Sequence, residues 1–490
     1  MISRPHIATL ILLVVTAVVY LAFPTHAYYW DGIVFAQAIE DASRLNASLA
    51  HPNHLVYNFA GYLFYKLLRV FSADIRAVTA LQILNSLLSA LCAGVLYQIL
   101  MNTLRSLYFS FWLTLLFAFS ATWWKFSTDA NAYIPSVLFL LISFYLVLPD
   151  RKLRPLLTAF TFFLSMAFHQ LAVFMLPVLA LGIYLQDGPP GLTRRALNAV
   201  YFGVAATMLI VAAYAWLFYL ATGTFDLARL IHWTASYSPD ADTQFRFLSN
   251  LQYSLRGLVR LFFGGRVNLL RGLVNPAIAV LLLCLIAAIF VFIINALRNL
   301  RPIKLRLEMH RKTALLLALV WTVVYVVFLF FWLPQNTFYR LFYLPALILM
   351  LGLALISLKN APANSHALAA FTIAMALANF LFLIYPFSHT EKNPPLAFAL
   401  QMNREWPTGT VIYYGAENSD AALIRYFNPT TRWQLLRLSS INGPAWLETT
   451  AIDQLRSTPE GTRWLETHAR KESWRELNDS AYEIRFVQIY

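Results

Sequence analysis

Residues 77–101 read AVTALQILNSLLSALCAGVLYQILM, a run that contains no charged side chain. A helix needs about 20 consecutive apolar residues to cross the hydrocarbon core of a bilayer, so this run predicts a membrane-spanning helix. The composition extends this conclusion to the whole chain. Of its 490 residues, 59% are hydrophobic and only 12% are charged, and the mean hydropathy is +0.60. A protein of this composition needs lipid to cover much of its surface.

Ten further apolar runs are candidates for spans, which gives about eleven predicted transmembrane helices. The stretch from Pro155 to Leu185 is interrupted by His169-Gln170, which favours two short helices. The first run, 6–23, follows Arg4 and is not followed by a small-x-small cleavage site, so we expect a retained signal anchor. The other predicted spans cover 107–123, 132–149, 155–168, 170–185, 197–221, 273–297, 313–333, 339–357 and 366–385.

The distribution of Lys and Arg predicts the orientation of these spans. Cytoplasmic loops are enriched in basic residues. If the N-terminus is cytoplasmic, each inside loop contains at least one, whereas the short outside connections contain only Lys125. The odd number of spans then places the C-terminus outside, in an integral inner or plasma membrane protein. The inside basic residues are Arg105, Arg151, Lys152, Arg154, Arg194, Arg195, Arg298, Arg301, Lys304, Arg306, Arg311, Lys312 and Lys359.

Three outside segments are longer than connectors require. Loops 24–76 and 222–272 belong to the predicted transmembrane domain, 1–385, and the second loop is rich in arginine. From 386 to 490 aliphatic density falls and charge rises, which predicts a small outside α/β domain. Its predicted strands are Gly409–Gly415 and Tyr482–Tyr490, and its predicted helices are Asp420–Phe427 and Ala445–Arg456. The predicted fold is thus a polytopic α-helical membrane protein with a C-terminal α/β domain.

The net charge of +14 does not indicate a nucleic-acid partner, because the excess basic residues lie between apolar runs, where they orient helices or meet anionic lipid. The two cysteines, Cys92 and Cys284, lie within apolar runs, so we expect neither disulfides nor a cysteine metal site.

Two carboxylates stand next to span ends on the predicted outside face. Asp31 follows the first span, and Asp129 lies between the third and fourth spans, where either could simply cap a helix. A carboxylate beside an apolar wall can also act as a general base on a hydroxyl. His51 and His54 on the same face could bind a metal, hydrogen-bond a sugar or cap a helix. No third metal ligand is evident from the spacing.

The order of these residues resembles the GT-C superfamily of membrane glycosyltransferases. The motifs are Asp31-Gly32, His51-Pro52, Trp123-Trp124 through Asp129 to Tyr133, and Phe168-His169. Together they are similar to the pattern of a protein O-mannosyltransferase-like branch over roughly the first 190 residues. Three positions differ from that pattern. A second acid does not follow Asp31, Asn53-His54 replaces Pro-Gly, and the later acid is Asp129 and not Glu.

The resemblance implies an inverting transfer of a sugar from a polyprenyl-phosphate donor to a hydroxyl of a lipid, glycan or protein acceptor. It implies that Asp31 is the catalytic base and Asp129 a second catalytic acid. His51, His54, Tyr133 and His169 would bind substrate. We expect Arg256, Arg260 and Arg340 to contact phosphate, because arginine forks suit phosphate and each lies near an outside span end or on a basic helix. No metal site is assigned, and dependence on a divalent cation stays open.

Two other functions are compatible with a chain that has many spans and charged loops. One is a transporter or flippase of lipid-linked or envelope substrates, although transporters commonly contain internal repeats and charges at mid-membrane, and neither is clear here. The other is a non-catalytic subunit of an envelope assembly, in which the acids are helix caps.

Overall fold

The computed structural model describes residues 4–149, 151–186, 191–235, 246–266, 275–277, 280, 283–284, 286–287, 308–357, 361–416, 419–438, 441, 443–479 and 482–489. The chain divides into two compact units. The first comprises Met1–Pro24 and Ala38–Pro386, and the second comprises Thr25–Gln37 and Phe387–Tyr490. The segment Thr25–Gln37, which we placed in the transmembrane domain, therefore groups with the C-terminal residues.

Apolar helices dominate the first unit. Among the described residues, five are long and apolar enough to cross a membrane, so the chain is a multi-pass membrane protein. A sixth candidate is a pair of helices joined by a 67° bend, and four shorter apolar helices accompany them. The five long helices are Arg4–Ala22, Ala77–Leu104, Leu192–Thr222, Met309–Trp332 and His366–Phe387; the bent pair is Leu107–Ala118 with Ala121–Ser127; the shorter ones are Tyr133–Leu146, Pro155–Phe168, Gln170–Leu185 and Leu344–Ile356.

Each predicted span in the described part of the chain overlaps one of these helices, but the boundaries differ. In the span predicted at 132–149, the helix ends at Leu146, shortly before Pro149. A proline disfavours helical backbone in the residue before it. The span predicted at 107–123 is broken after Ala118. The predicted span 273–297 lies mostly outside the described residues. The total number of spans and the orientation of the termini stay predictions.

Other helices of the first unit are too short or too polar to span. Tyr57–Arg69, Leu227–Ala235 and Phe247–Phe262 each have one apolar and one polar face, which is typical of helices at a membrane interface. The helix Trp30–Asp41 begins in the second unit and ends in the first.

A fully buried asparagine joins three interruptions of helical structure. Asn379 donates from Nδ2 to the carbonyl of Phe119 at 2.9 Å and to that of Phe262 at 2.8 Å. Its Oδ1 accepts from the backbone N–H of Gly264 at 3.1 Å. Phe119 lies at the 67° bend and Phe262 ends a helix, while a π-helical segment, Phe380–Ile384, begins directly after Asn379. One side chain therefore satisfies backbone groups that have lost their helical partners.

The second unit contains a mixed five-stranded sheet. Its strands are β1 Val411–Tyr414, β2 Arg432–Leu435, β3 Ala445–Glu448, β4 Ala469–Asp479 and β5 Tyr482–Ile489, in the order β2-β1-β3-β5-β4. β1 pairs in parallel with β2 and β3, whereas β5 is antiparallel to β3 and β4.

Side chains alternate across this sheet, so both faces are apolar. Ile412 and Phe486 pack with residues of the helices Pro394–Glu405 and Ser419–Phe427. On the other face, their neighbours Tyr413 and Val487 pack with residues of Thr449–Arg456 and Pro459–His468. Helices thus cover both faces of the sheet.

One element of this unit corrects the sequence analysis. Residues 445–456, predicted as a single helix, form the strand Ala445–Glu448 followed by the helix Thr449–Arg456. The strand pairs on both sides, and the Glu448 side chain accepts a hydrogen bond from the Thr450 N–H at 2.9 Å, which caps the helix. Periodicity alone cannot separate so short a buried strand from a helix.

Candidate functional site

Asp31 lies in the first turn of the helix Trp30–Asp41, where the Gly32 N–H donates to the Tyr29 carbonyl at 3.0 Å. The residue is partly exposed. Burial raises the pKa of its carboxyl above the ordinary value, and a hydrogen bond from the Tyr29 side chain acts in the opposite direction. A raised pKa makes the ionised carboxylate a stronger base. Asp31 therefore has the chemical properties that proton abstraction from a hydroxyl requires.

Contacts within the second unit hold the segment that carries Asp31. The backbone N–H of His26 donates to the Phe387 carbonyl at 2.6 Å, and Asn393 donates from Nδ2 to the His26 carbonyl at 2.6 Å. The Tyr28 ring packs on Phe427, with ring centroids 5.1 Å apart. These contacts explain why Thr25–Gln37 groups with the C-terminal residues.

Asp129 has a different environment, in the first unit. Its side chain is fully buried, and one oxygen accepts a very short hydrogen bond from the ammonium of Lys125. The other oxygen accepts from the Ala130 N–H at 2.9 Å. Asn85 donates to the backbone carbonyls of Asp129 and Asn131, at 2.7 and 2.8 Å. The ion pair compensates the buried charge, and the hydrogen bonds fix the turn between two helices.

Four predicted substrate-binding residues come together in the first unit, and we call His51, His54, Tyr133 and His169 the histidine cluster. The rings of His51 and His54 stack with centroids 5.1 Å apart, and His54 lies 4.6 Å from His169. The Tyr133 ring is 4.8 Å from that of His169. The structure thus brings together residues from three separate parts of the sequence; that they bind substrate stays a prediction.

The imidazoles of the histidine cluster are neutral at physiological pH. Burial lowers the pKa of His51 to about 4 and that of His169 to about 3. Burial and the two neighbouring histidines lower the pKa of His54 well below its ordinary value. His169 Nδ1 accepts from the Leu171 N–H at 3.1 Å, which places the ring proton on Nε2. Neutral imidazoles both donate and accept hydrogen bonds, as a hydroxyl-rich ligand requires.

No group of three or more His, Cys, Asp or Glu side chains within the described part of the chain is arranged to hold a metal ion. In the histidine cluster, Nδ1 of His169 is occupied by a backbone N–H, and Nδ1 of His54 faces the Phe168 carbonyl at 3.3 Å. The cluster thus offers hydrogen bonds and ring surfaces.

The predicted phosphate ligands fall into two environments. Arg340 is buried, and its guanidinium donates to the carbonyls of Pro334 at 2.7 Å and Tyr253 at 3.4 Å. It also lies directly against Gly257 of the helix Phe247–Phe262. Among the described residues no carboxylate forms an ion pair with Arg340. Its observed contacts anchor this helix.

Arg256 and Arg260 lie exposed on the same helix, near Arg266. Partial burial and the charges of Arg256 and Arg266 lower the pKa of Arg260. Three guanidinium groups that repel one another attract an anion, and arginine binds phosphate in forked geometry. Arg266 was not among the predicted ligands, although it belongs to the same arginine-rich loop.

Two further residues were missed by the sequence analysis. The spacing of Lys125 and Asp129 is typical of an i,i+4 ion pair and could have predicted their contact. Gln170 was interpreted only as a break between spans, yet its side chain donates to the carbonyls of Pro52 at 3.0 Å and Thr234 at 3.2 Å. Sequence offers no signal for these long-range contacts.

No protein-family model matches this chain, and a search of curated proteins found no match. Among solved structures, the chain is similar to ArnT from Cupriavidus metallidurans bound to undecaprenyl phosphate, with a TM-score of 0.61 and 12% identity, covering 98% of this chain and 97% of that one. The apo state of the same protein gives a TM-score of 0.58 at 13% identity, with the same coverage. An oligosaccharyltransferase from Archaeoglobus fulgidus, complexed with Zn and sulfate, gives 0.45 at 13% identity and covers 86% of this chain and 62% of that one. At these identities the similarity to ArnT establishes a shared fold.

Proposed function

We propose that this protein is a GT-C glycosyltransferase that moves a sugar from a polyprenyl-phosphate donor to an acceptor hydroxyl. The observation that carries the proposal is the fold shared with ArnT, a GT-C glycosyltransferase, along nearly the full length of both chains. The ArnT structure contains undecaprenyl phosphate, a lipid of the class that the sequence motifs imply as donor. The activity follows from fold and motifs together, because a fold alone hosts many functions.

Asp31 is the general base in this proposal. Its carboxylate takes the proton of the acceptor hydroxyl while that oxygen attacks the anomeric carbon. The bond between the anomeric carbon and the phosphate oxygen breaks, and the polyprenyl phosphate leaves with the bonding electron pair. A single displacement inverts the anomeric centre. The raised pKa of Asp31 supports this role, because a stronger base lowers the barrier to proton transfer.

The charge that develops on the leaving phosphate requires cations. Arg256 and Arg260 lie exposed and close to Arg266, and their mutual repulsion favours an anion between them. Arg340 was predicted for the same task, but its hydrogen bonds to Pro334 and Tyr253 support a role in positioning the helix that carries Arg256 and Arg260. The three exposed arginines are therefore the stronger candidates for the phosphate contact.

The remaining predicted residues have supporting roles in this proposal. The neutral imidazoles of His51, His54 and His169 suit hydrogen bonding to sugar hydroxyls. The full burial of Asp129 and its ion pair with Lys125 favour a structural role for this second acid.

The finer assignments are proposals from sequence. They are a reaction at the outer face, a cytoplasmic N-terminus, an acceptor that is a lipid, a glycan or a protein, and a mannosyltransferase-like donor preference. Dependence on a divalent cation stays open.

Product formation in proteoliposomes tests the proposal. The purified protein is supplied with a polyprenyl-phosphate sugar, labelled in the sugar, and with lipid, glycan and peptide acceptors, and new glycosidic bonds are detected by mass spectrometry. A transferase forms such a bond, whereas a flippase moves the label across the bilayer without forming one. If no acceptor is glycosylated and the label crosses the membrane, the transferase assignment is wrong.

Replacement of Arg256 and Arg260 by Gln tests the phosphate contact in the same assay. We expect the donor KM to rise by about tenfold or more, since hydrogen bonds to charged groups contribute about 1.5–3 kcal/mol each. Arg69→Gln is the matched control, because Arg69 is also exposed on an amphipathic helix of the first unit. An equal rise in both variants would indicate a general effect of surface charge.

A further inference from the structure

An apolar groove of about 520 Å³ lies in the first unit, beside the point where the helix Pro155–Phe168 ends and the segment beginning at Gln170 starts. Its walls come from the end of Pro155–Phe168, the turn that follows, the long helix Leu192–Thr222 and the short helix Leu227–Ala235. Its volume lies in the range of small-molecule sites. The residues that line it are Met166, Gln170, Val173, Ile210, Val211, Tyr214, Leu227, Leu230, Ile231, Thr234 and Ala235.

The lining favours a hydrocarbon ligand. Eight of the eleven residues are aliphatic or Met, and hydrogen bonds occupy the polar groups of the other three. Tyr214 donates its hydroxyl to the Pro52 carbonyl at 2.8 Å, Gln170 donates to two carbonyls, and the Thr234 hydroxyl donates to the Leu230 carbonyl at 2.8 Å. The mouth is also apolar, since Val211 is 57% and Ile231 60% exposed. A lipid chain can therefore enter from the bilayer without desolvating polar groups.

Gln170 connects this groove with the histidine cluster. It lies in the groove wall and directly follows His169. Its Nε2 donates to the Pro52 carbonyl at 3.0 Å and to the Thr234 carbonyl at 3.2 Å, and its backbone N–H donates to the Asn53 carbonyl at 3.2 Å. Pro52 and Asn53 lie between His51 and His54. One side chain thus joins the short helix over the groove to the loop that carries two of the histidines.

We infer that Gln170 is a positioning residue that couples occupancy of this groove by the isoprenoid chain of the donor to the placement of His51 and His54. A chain in the groove fills space beneath the helix Leu227–Ala235 and fixes its end at Thr234. The Gln170 amide then holds the Thr234 and Pro52 carbonyls in one arrangement, and Tyr214 supports the same carbonyl of Pro52. The inference rests on the proposed function, since it assigns a task to the donor chain.

Dependence of the rate on donor chain length tests the coupling. With the full-length protein, we expect kcat to be about tenfold higher for a donor with a long polyprenyl chain than for one with a short isoprenoid chain, the effect of one or two hydrogen bonds. Gln170→Ala is expected to give the same kcat on both donors. Tyr214→Phe, which removes one hydroxyl, should reduce the chain-length preference in part and serves if Gln170→Ala does not fold.

Gln186→Ala is the matched control. The Gln186 side chain also donates to several backbone carbonyls, among them Leu146 at 2.9 Å and Leu148 at 3.2 Å, but it does not contact the groove or the histidine cluster. The Gln186→Ala protein should lose about as much unfolding free energy as Gln170→Ala and should keep the chain-length preference. A Gln170→Ala protein that keeps the preference, or a Gln186→Ala protein that loses it, overturns the coupling.

Photo-crosslinking locates the chain without requiring transfer. A polyprenyl phosphate with a diazirine in its chain should label peptides from Leu227–Ala235. Val211→Trp, which fills the groove, should abolish labelling, and Val200→Trp, an equally exposed valine on the same long helix, should not. Unlabelled polyprenyl phosphate should compete. Equal competition by a phospholipid would assign the groove to acyl chains and overturn the inference. Labelling without any sugar transfer would instead contradict the proposed function.

Discussion

Asp31 and Asp129 are both acids of the motifs that resemble the GT-C superfamily, yet the structure places them in different environments. Asp31 is partly exposed at the start of a helix, where its pKa is raised and a tyrosine contacts it. Asp129 is fully buried and paired with Lys125. The first environment keeps a carboxylate accessible and basic, and the second fixes a charge in place. A motif specifies the residue, and the neighbours determine its chemistry.

The arginines show the same contrast. Arg340 is buried and hydrogen-bonded to backbone carbonyls, whereas Arg256 and Arg260 are exposed and lie near a third positive charge. The buried member of each pair is held by hydrogen bonds or an ion pair, and the other member is more exposed; under the proposed function we expect the first to support the fold and the second to meet the substrate. Four substitutions can separate these roles.

The largest expected effect belongs to Asp31. Replacement by Asn should lower kcat about a thousandfold, within the range of about 10²–10⁴ for general acid–base catalysis, and should leave the unfolding temperature unchanged. Asp41→Asn is the control, because Asp41 is an exposed acid at the other end of the same helix. Transfer at the normal rate by a folded Asp31→Asn protein would remove Asp31 from the mechanism.

Asp129→Asn should act on stability. The substitution leaves Lys125 without its partner, and breaking a buried ion pair costs about 3 kcal/mol or more, measured by denaturant unfolding in detergent. The double variant Lys125→Met with Asp129→Asn should recover part of this loss, because it removes the uncompensated charge. If Asp129→Asn instead unfolds normally and loses transfer activity, Asp129 acts in catalysis.

Gly257→Ala tests the anchoring role of Arg340. A Cβ at position 257 would overlap Nε of Arg340, so the buried guanidinium must move, at a cost of about 2 kcal/mol in unfolding free energy. Gly203→Ala is the matched control in another helix, because nothing lies within 4 Å of a Cβ there. Equal stability of the two variants would show that Arg340 does not depend on close contact with the helix.

The smallest effect is expected for Tyr29→Phe. The Tyr29 hydrogen bond lowers the pKa of Asp31, in opposition to burial, so its removal should raise that pKa further. A base must be deprotonated, and activity is lost as the pH falls through its pKa. The acid limb of the profile of kcat/KM against pH should therefore move to higher pH. An acid limb that stays in place would show that another group controls it.

The sequence predicted the helices better than their interruptions. Pro155–Phe168 was predicted with the observed bounds, because a basic loop and His169 delimit an apolar run. The bend after Ala118 was missed, since the hydrophobic pattern continues through it and the side chain that bonds the Phe119 carbonyl there comes from far along the chain. Lys125 was visible as a residue, but its effect on Asp129 depends on the full burial of Asp129 and the partial burial of Lys125.

The sequence could propose a set of residues for the candidate site but not their arrangement. The motif order identified His51, His54, Tyr133 and His169, which lie together in the structure. Neither periodicity nor composition could show that Gln170 joins the loop before His54 to a helix sixty residues further on, because such contacts arise only when the spans pack.

Asn379 links the helix interruptions of the first unit, so that one cannot change without the others. A single amide satisfies backbone groups at the bend after Ala118 and at the end of the helix Phe247–Phe262, and it directly precedes the π-helical segment Phe380–Ile384, so these irregularities are not independent of one another. A lineage that lost this asparagine would have to restore regular backbone at all of these points together, or leave several carbonyl and amide groups without partners inside the membrane. Gradual straightening of one span is therefore disfavoured, and the broken geometry around the Trp123-Trp124 motif is expected to be inherited as a block.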